Sequence, residues 1–297
     1  MTIGVAILSF NRPQYLSQLL ASLEAQTDLD GFDFHLFQDG AVNRFSGVEW
    51  AKQEDIDLCI ALFCASQLPN KTIHVSDDNI GIALNVWRLM DHMSAHYERI
   101  MQIQDDIKLS PYWFRMARHL YADLEQRPGV FSFSPCFKRK CRPDEINDSL
   151  GRLVYTRHHW WCECYTANGW YKILDHFLEY MTLVKGVDNN YRPHDEIHAL
   201  YKSKGWPGKA TSEDNALGMS CFLADLLRAE MVVNRGLYIG EQGVHWSPEN
   251  YKRAGWKDQL PYKFDNDITR SQFDWPPEEI HGKRWWRDVC NRTSEKW

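Results

Sequence analysis

The chain lacks any apolar run able to cross a bilayer. Its longest uncharged apolar run, Leu58 to Ala65, falls far short of the ~20 residues that a spanning helix needs. It also lacks an excess of basic charge. There are 34 Lys and Arg against 40 Asp and Glu, a formal charge of −6, which argues against coating nucleic acid by bulk charge but leaves room for a local basic groove. No basic leader or cleavage motif is visible, because Met1-Thr2-Ile3-Gly4 runs straight into a strand; a cytoplasmic protein is the expectation. Internal repeats and an obvious inter-domain linker are missing too. Eight cysteines are present without the usual zinc-knuckle spacings. Cys136, Cys141, Cys162 and Cys164 could in principle form a four-thiolate site, but reduced, mostly buried thiols are expected, with Cys59 and Cys64 on a helix face.

What is there is an ordinary globular composition, 44% hydrophobic and 25% charged over 297 residues, enough for one sizeable core. The first half alternates strand and helix patterns. Ile3 to Phe10, Phe32 to Phe37, Lys71 to Val75, Ile100 to Ile103 and Val130 to Phe133 read as strands, with helices between them. The intervening helices fall after Asn11-Arg12-Pro13, around Val48 to Ala65, and after a cap at Ser76 to Asn79. This order implies an α/β fold: a mostly parallel, Rossmann-like sheet flanked by helices. Ligands on such sheets bind beyond the carboxyl ends of the strands, where Asn11, Asp39, Asp78 and Asp106 fall. The second half is more irregular. Helices are expected near 167–180, 194–204 and 214–228, and a strand or hairpin near 231–239.

The densest chemical signal is Gln104-Asp105-Asp106, which ends an apolar strand and precedes a helix opened by Pro111. Two adjacent carboxylates at the end of a buried strand are comfortable only with a cation or donors opposite them. Hard oxygen ligands of this kind suit Mg²⁺ or Mn²⁺; the competing reading is a solvated turn with an Asp cap.

Together the motifs resemble the GT-A class of nucleotide-sugar glycosyltransferases over roughly residues 3–247. Val5-Ala-Ile-Leu-Ser-Phe10-Asn11-Arg12-Pro-Gln-Tyr-Leu16 is similar to the strand and loop that hold the nucleotide. Asn79-Ile-Gly81-Ile-Ala-Leu-Asn85 is similar to the family 2 pattern N-x-G-x-x-x-A-R-N but lacks its Ala-Arg-Asn ending. Gln104-Asp105-Asp106 occupies the place of the D-x-D metal motif. With its following Pro and paired aromatics it looks like the E-D-D motif of Golgi N-acetylglucosaminyltransferases. Trp206 to Leu217 looks like the x-E-D motif, and Gly240-Glu-Gln-Gly243-Val-His245 like the closing segment. Cys164 to Trp170 sits where these enzymes place a small-residue loop against the donor sugar. The resemblance implies Mn²⁺ or Mg²⁺ on Asp106 and His245, and donor contacts from Phe10, Asn11, Arg12, Asp39, Gly81, Asn85, Arg88, Gln104 and Asp105. It implies Asp214 as general base in an inverting transfer from a nucleotide-diphosphate sugar, UDP-linked by first expectation. In domain terms it implies a catalytic unit at 1–247 (nucleotide half 1–135, acceptor half 136–247) and a wrapped tail at 248–297.

Each residue also has a plainer reading. Asp214 could instead be a helix-capping carboxylate, Asp39 a turn residue before Gly40, and His245 a hydrogen-bonded polar residue. A sugar nucleotidyltransferase is disfavoured, since no glycine follows the first strand. A binding module without turnover is the other rival, with Gln104 its support. Expected acceptors are a saccharide or small molecule, held by Arg139, Lys140, Arg142, Trp160, Trp161 and Glu213. The same mix of cations and aromatics would also suit hydroxymethylated DNA bases.

Overall fold

The computed structural model describes residues 1–136, 143–156, 161–243, 247–256, 268, 272–277, 285, 286 and 288. In chain order the strands are β1 (Ile3–Ser9), β2 (Phe32–Gln38), β3 (Lys71–Val75), β4 (Arg99–Gln104), β5 (Ile107–Leu109), β6 (Val130–Ser134), β7 (Leu153–Thr156), β8 (Cys162–Thr166), β9 (Leu227–Met231) and β10 (Gly236–Tyr238). The helices are α1 (Pro13–Glu24), α2 (Gln53–Ala65), α3 (Ile82–His96), α4 (Trp113–Leu124), α5 (Ala167–Val184), α6 (His194–Ser203), α7 (Glu213–Leu223) and α8 (Pro248–Arg253).

The fold is α/β, built on an eight-stranded sheet in the order β3-β2-β1-β4-β8-β6-β9-β7. β3, β2, β1 and β4 run parallel. β8 is antiparallel to both β4 and β6, β9 is parallel to β6, and β7 closes the edge antiparallel to β9. The sheet is therefore mostly parallel, with β8 and β7 opposed.

Buried strands of this sort need apolar residues on both faces, and β1 supplies them. Val5 and Ile7 join Leu16, Leu19 and Leu23 of α1 and Phe114 of α4 in one core. Ala6 and Leu8 join Val86 and Leu89 of α3, Trp170 of α5 and Met219 of α7 in the other. Pro13 starts α1 at the position where its missing N–H costs nothing.

Several expectations need correction. The helix expected around 48–65 begins at Gln53, and α3 is preceded by Gly81 at φ +80° without a side-chain cap, not capped by Ser76–Asn79. The helix expected to reach Arg228 stops at Leu223, because Asp225 takes φ +59° and the chain turns into β9. Cys164 to Trp170, expected as a loop on the donor sugar, is the end of β8 and the first turn of α5. β8, which was not among the expected strands, enters the sheet between β4 and β6.

Candidate active site

A cleft of about 1170 Å³ opens at the carboxyl ends of β1, β2 and β4, where an open parallel sheet is expected to bind its ligand. Its lining includes Phe10, Asn11 and Arg12 after β1, Asp39 after β2, Gly81 and Asn85 at the start of α3, Gln104 at the end of β4 with Asp105 and Asp106 after it, Trp161 before β8, and Glu213 and Asp214 at the start of α7. These are residues the sequence singled out, and the fold brings them into one cleft. Arg88 is not among them. Its guanidinium lies over the Phe37 ring and donates to the carbonyls of Gln38 and His74 and to Asn85 Oδ1, which ties strand ends together away from the cleft. Arg139, Lys140, Arg142, Trp160 and His245 lie outside the described residues, as does Cys141.

The floor of the cleft is an ion cluster. Asp105 and Asp106 are 2% and 3% exposed. The cation that such a pair requires is Arg12, which forms an ion pair with Asp105 and places Nη1 2.8 Å from Asp106 Oδ2. Burial works against the guanidinium's charge, but the two carboxylates outweigh it and hold the Arg12 pKa above its ordinary value. Burial pushes the Asp105 carboxyl up to about 6, against the pull of Arg12. Asp106 is raised by the same cause. Its Oδ1 is buried and meets no hydrogen-bond partner among the described residues.

An orphaned carboxylate oxygen beside a second acid fits one hard divalent cation, with the half-buried Gln104 adding at most a neutral oxygen. The loop after β10 is drawn in close, since Ile239 N donates to the Asp106 carbonyl at 2.9 Å. A Cβ on Gly240 would stand 2.6 Å from Asp106 Oδ2, so only glycine allows that approach.

Asp39 has a different task. Its two oxygens accept from the N–H groups of Gly40 (3.0 Å), Ile80 (2.8 Å) and Gly81 (3.0 Å) and from Asn79 Nδ2 (3.1 Å). That fills the acceptor capacity of a carboxylate and holds the 79–81 loop against β2. Burial pushes its pKa up to about 6, although the three amides and Arg88 pull it down. Asp39→Ala is expected to cost about 2–4 kcal/mol in urea unfolding, because buried donors lose their acceptor; an unchanged midpoint would assign the loop's order elsewhere.

Also in the cleft lining, Ser212 takes the N-cap position of α7, leaving Glu213 and Asp214 in the first turn. Asp214 is therefore not the cap, although the helix dipole favours its charge. Burial pushes the Asp214 carboxyl well above its ordinary value, and neighbouring Glu213 adds to this while Arg228 opposes it. Glu213 is itself raised by burial.

The sequence reading did not single out the loop from Asp188 to Arg192, which completes the wall. Asp188 accepts from Ser46 Oγ, Trp50 Nε1 and the Asn190 N–H at 2.5, 2.9 and 3.0 Å. Arg192 donates to Thr211 Oγ1 at 3.0 Å and to the Asn189 carbonyl at 3.1 Å. The available signal was the turn-forming Asp-Asn-Asn run before Pro193. Tyr238, Lys209, Gln242 and Trp256 also join the lining, so the wall continues past residue 247.

No protein-family model matches this chain, and no curated protein does. Solved structures show a distant likeness. Residues 1–349 of TarS from S. aureus, solved in complex with UDP, are 12% identical, with 100% of this chain and 72% of that chain covered at a TM-score of 0.48. The galactosyltransferase LgtC, solved with donor and acceptor sugar analogues, is 10% identical, covering 73% of this chain and 69% of that one at 0.40. The mannosyltransferase PcManGT from Pyrobaculum calidifontis, solved with GDP-Man and Mn²⁺, is 13% identical at 0.38 over 55% of this chain, which spans 44% of that protein. None of these likenesses assigns a substrate or a residue role to this chain.

Proposed function

We propose that this chain is a nucleotide-sugar glycosyltransferase of the GT-A type, transferring a sugar with inversion to an acceptor hydroxyl. The observation that carries the reading is that one cleft holds both the Arg12–Asp105–Asp106 cluster and the Glu213–Asp214 pair. At about 1170 Å³ it exceeds the ~300–1,000 Å³ of most small-molecule sites, which leaves room for donor and acceptor together.

In the transfer, the acceptor oxygen bonds to the anomeric carbon as that carbon's bond to the diphosphate oxygen breaks. The acceptor proton goes to Asp214, whose raised pKa suits a base. With one such base and no obvious nucleophile, a single displacement is the economical course. Phe10 and Asn11 receive the nucleoside, and Arg12, Lys209 and Arg192 bring positive charge to the phosphates. A divalent cation bound at Asp106 would supply Lewis-acid neutralisation of the departing diphosphate. Trp161, stacked on Tyr238 (4.8 Å, 23°) and edge-on to Trp256 (4.9 Å, 88°), forms an aromatic wall suited to a saccharide acceptor.

A donor screen with Mn²⁺ or Mg²⁺, starting with UDP-sugars, against oligosaccharides, small hydroxyl compounds and hydroxymethylated DNA tests this. Expected are release of nucleoside diphosphate, transfer to a neutral sugar with little salt dependence, and a loss of acceptor kcat/KM of about tenfold or more in Trp161→Ala with donor KM unchanged. Transfer to DNA that weakens steeply with salt would replace the saccharide acceptor. Nucleotide binding without donor turnover would leave a binding module and overturn the enzyme reading.

A further inference from the structure

Away from the cleft, β2, β3 and α3 bring together histidines that the proposed transfer does not use. His35 stands in the middle of β2, 6% exposed, and His74 and His92 are half-buried on β3 and α3. His35 Nδ1 lies 3.0 Å from His74 Nε2, and one ring nitrogen from each of the three lies within 4.8 Å of the other two. Two nitrogens on a tetrahedral zinc, each bonded at ~2.0–2.1 Å, are about 3.4 Å apart. The first pair is already near that spacing, and a His92 ring nitrogen lies within 4.8 Å of both.

The hydrogen bonds behind His35 point the same way. Its Nε2 lies 2.8 Å from the Tyr97 hydroxyl, which itself donates to Asp33 Oδ2 at 3.0 Å. A hydroxyl that donates to a carboxylate accepts from the imidazole, so His35 carries its proton on Nε2 and turns the bare lone pair of Nδ1 towards His74. A carboxylate-backed donor on the far nitrogen is the arrangement that orients metal-binding histidines and fixes their tautomer. Asp33 is held in turn by Asn70 Nδ2 at 3.0 Å. The charged groups around the cluster are mixed: Asp33 and Asp91 favour a cation, and Arg88, bonded to the His74 carbonyl, opposes it.

We propose that His35, His74 and His92 form a binding site for a zinc-type divalent transition-metal ion, with water in the fourth position. Imidazole sets select such ions over Mg²⁺ and Mn²⁺, which prefer oxygen. The site would link edge strand β3 to β2 and α3, so its expected consequence is stability, with the chemistry left to the cleft.

The test uses the full chain, stripped with EDTA, dialysed and titrated with CoCl₂ and then ZnCl₂. Expected are one tetrahedral cobalt per chain, read from its visible absorption, its displacement by zinc, and a rise in Tm of about 5 °C at saturating zinc. His92→Ala changes a half-buried helix residue and should fold. It should lose the cobalt spectrum and at least tenfold in zinc affinity. Tyr97→Phe should lose about tenfold, as removal of an outer-shell partner does. Asp106→Ala should retain both, which separates this site from the cleft carboxylates. Zinc affinity equal in His92→Ala and wild type, or no cobalt spectrum and no Tm shift in wild type, would overturn the proposal.

Discussion

Asp214→Asn is expected to lower kcat by at least about a hundredfold while donor affinity stays within about twofold. The substitution is nearly isosteric, and it leaves the start of α7 intact because Ser212, not Asp214, occupies the N-cap position. Lost activity in this variant therefore reads as a lost proton acceptor and not as a frayed helix. Burial and the adjacent Glu213 hold the Asp214 carboxyl well above its ordinary value, so it takes up a proton more readily than a solvated aspartate. The wild type should accordingly begin to lose kcat at a higher pH than a solvated aspartate would set, and the variant's residual rate should be flat over the same range. Isothermal titration with the nucleoside diphosphate and initial rates from pH 5 to 9 check both points. Full activity in Asp214→Asn would move the base to Glu213, which shares the cleft and is also raised by burial.

How much of this was legible in the sequence depends on the range of the forces involved. β1, β2 and β4 could be read directly, because each is a short, largely apolar run whose residues feed both cores; β3, at the sheet edge and only half-buried, was marked by its place between two helices. The carboxyl ends of those strands then placed Asn11, Asp39 and Asp106 near one cleft without any knowledge of side chains. The electrostatic demand was legible too: two buried carboxylates need a cation, and the structure supplies Arg12.

What was not legible was contact between segments distant in sequence. Arg88 looked like a donor contact by its place after Asn85, yet that same spacing on α3 sends it to the carbonyls of Gln38 and His74. β8 entered the sheet between β4 and β6 because pairing across a long connection leaves no local pattern. The end of α7 was missed because the break lies at Asp225, with neither Gly nor Pro to mark it; Asp tolerates positive φ better than most residues, but far more often takes negative φ.

Arg12→Ala is expected to destabilise the fold by about 3–5 kcal/mol at pH 8, the usual cost of leaving a buried charge without its partner. The size of the loss should depend on pH in a definite direction. A carboxyl whose folded pKa lies above its unfolded value binds its proton more tightly in the fold, so its contribution to stability falls as pH rises through that interval. For Asp105 the interval runs from the ordinary aspartate value of 3.8 to about 6 in the wild type. Arg12 is the strongest influence pulling Asp105 and Asp106 down, so its removal lifts both folded values and extends the interval upwards. The difference between wild type and variant should therefore be small near pH 4, widen as pH rises, and be largest at pH 8. Mn²⁺ or Mg²⁺ should restore part of the lost stability at pH 8, because a cation on Asp106 replaces the missing positive charge, and should do so little in Arg12→Ala combined with Asp106→Ala. Urea unfolding at pH 5 and pH 8, with and without the metal, measures each term. A loss that ignores both pH and metal would mean that Arg12 acts through its packing over the Tyr15 ring, 5.4 Å from its centre, and would leave the charge of the two aspartates unaccounted for.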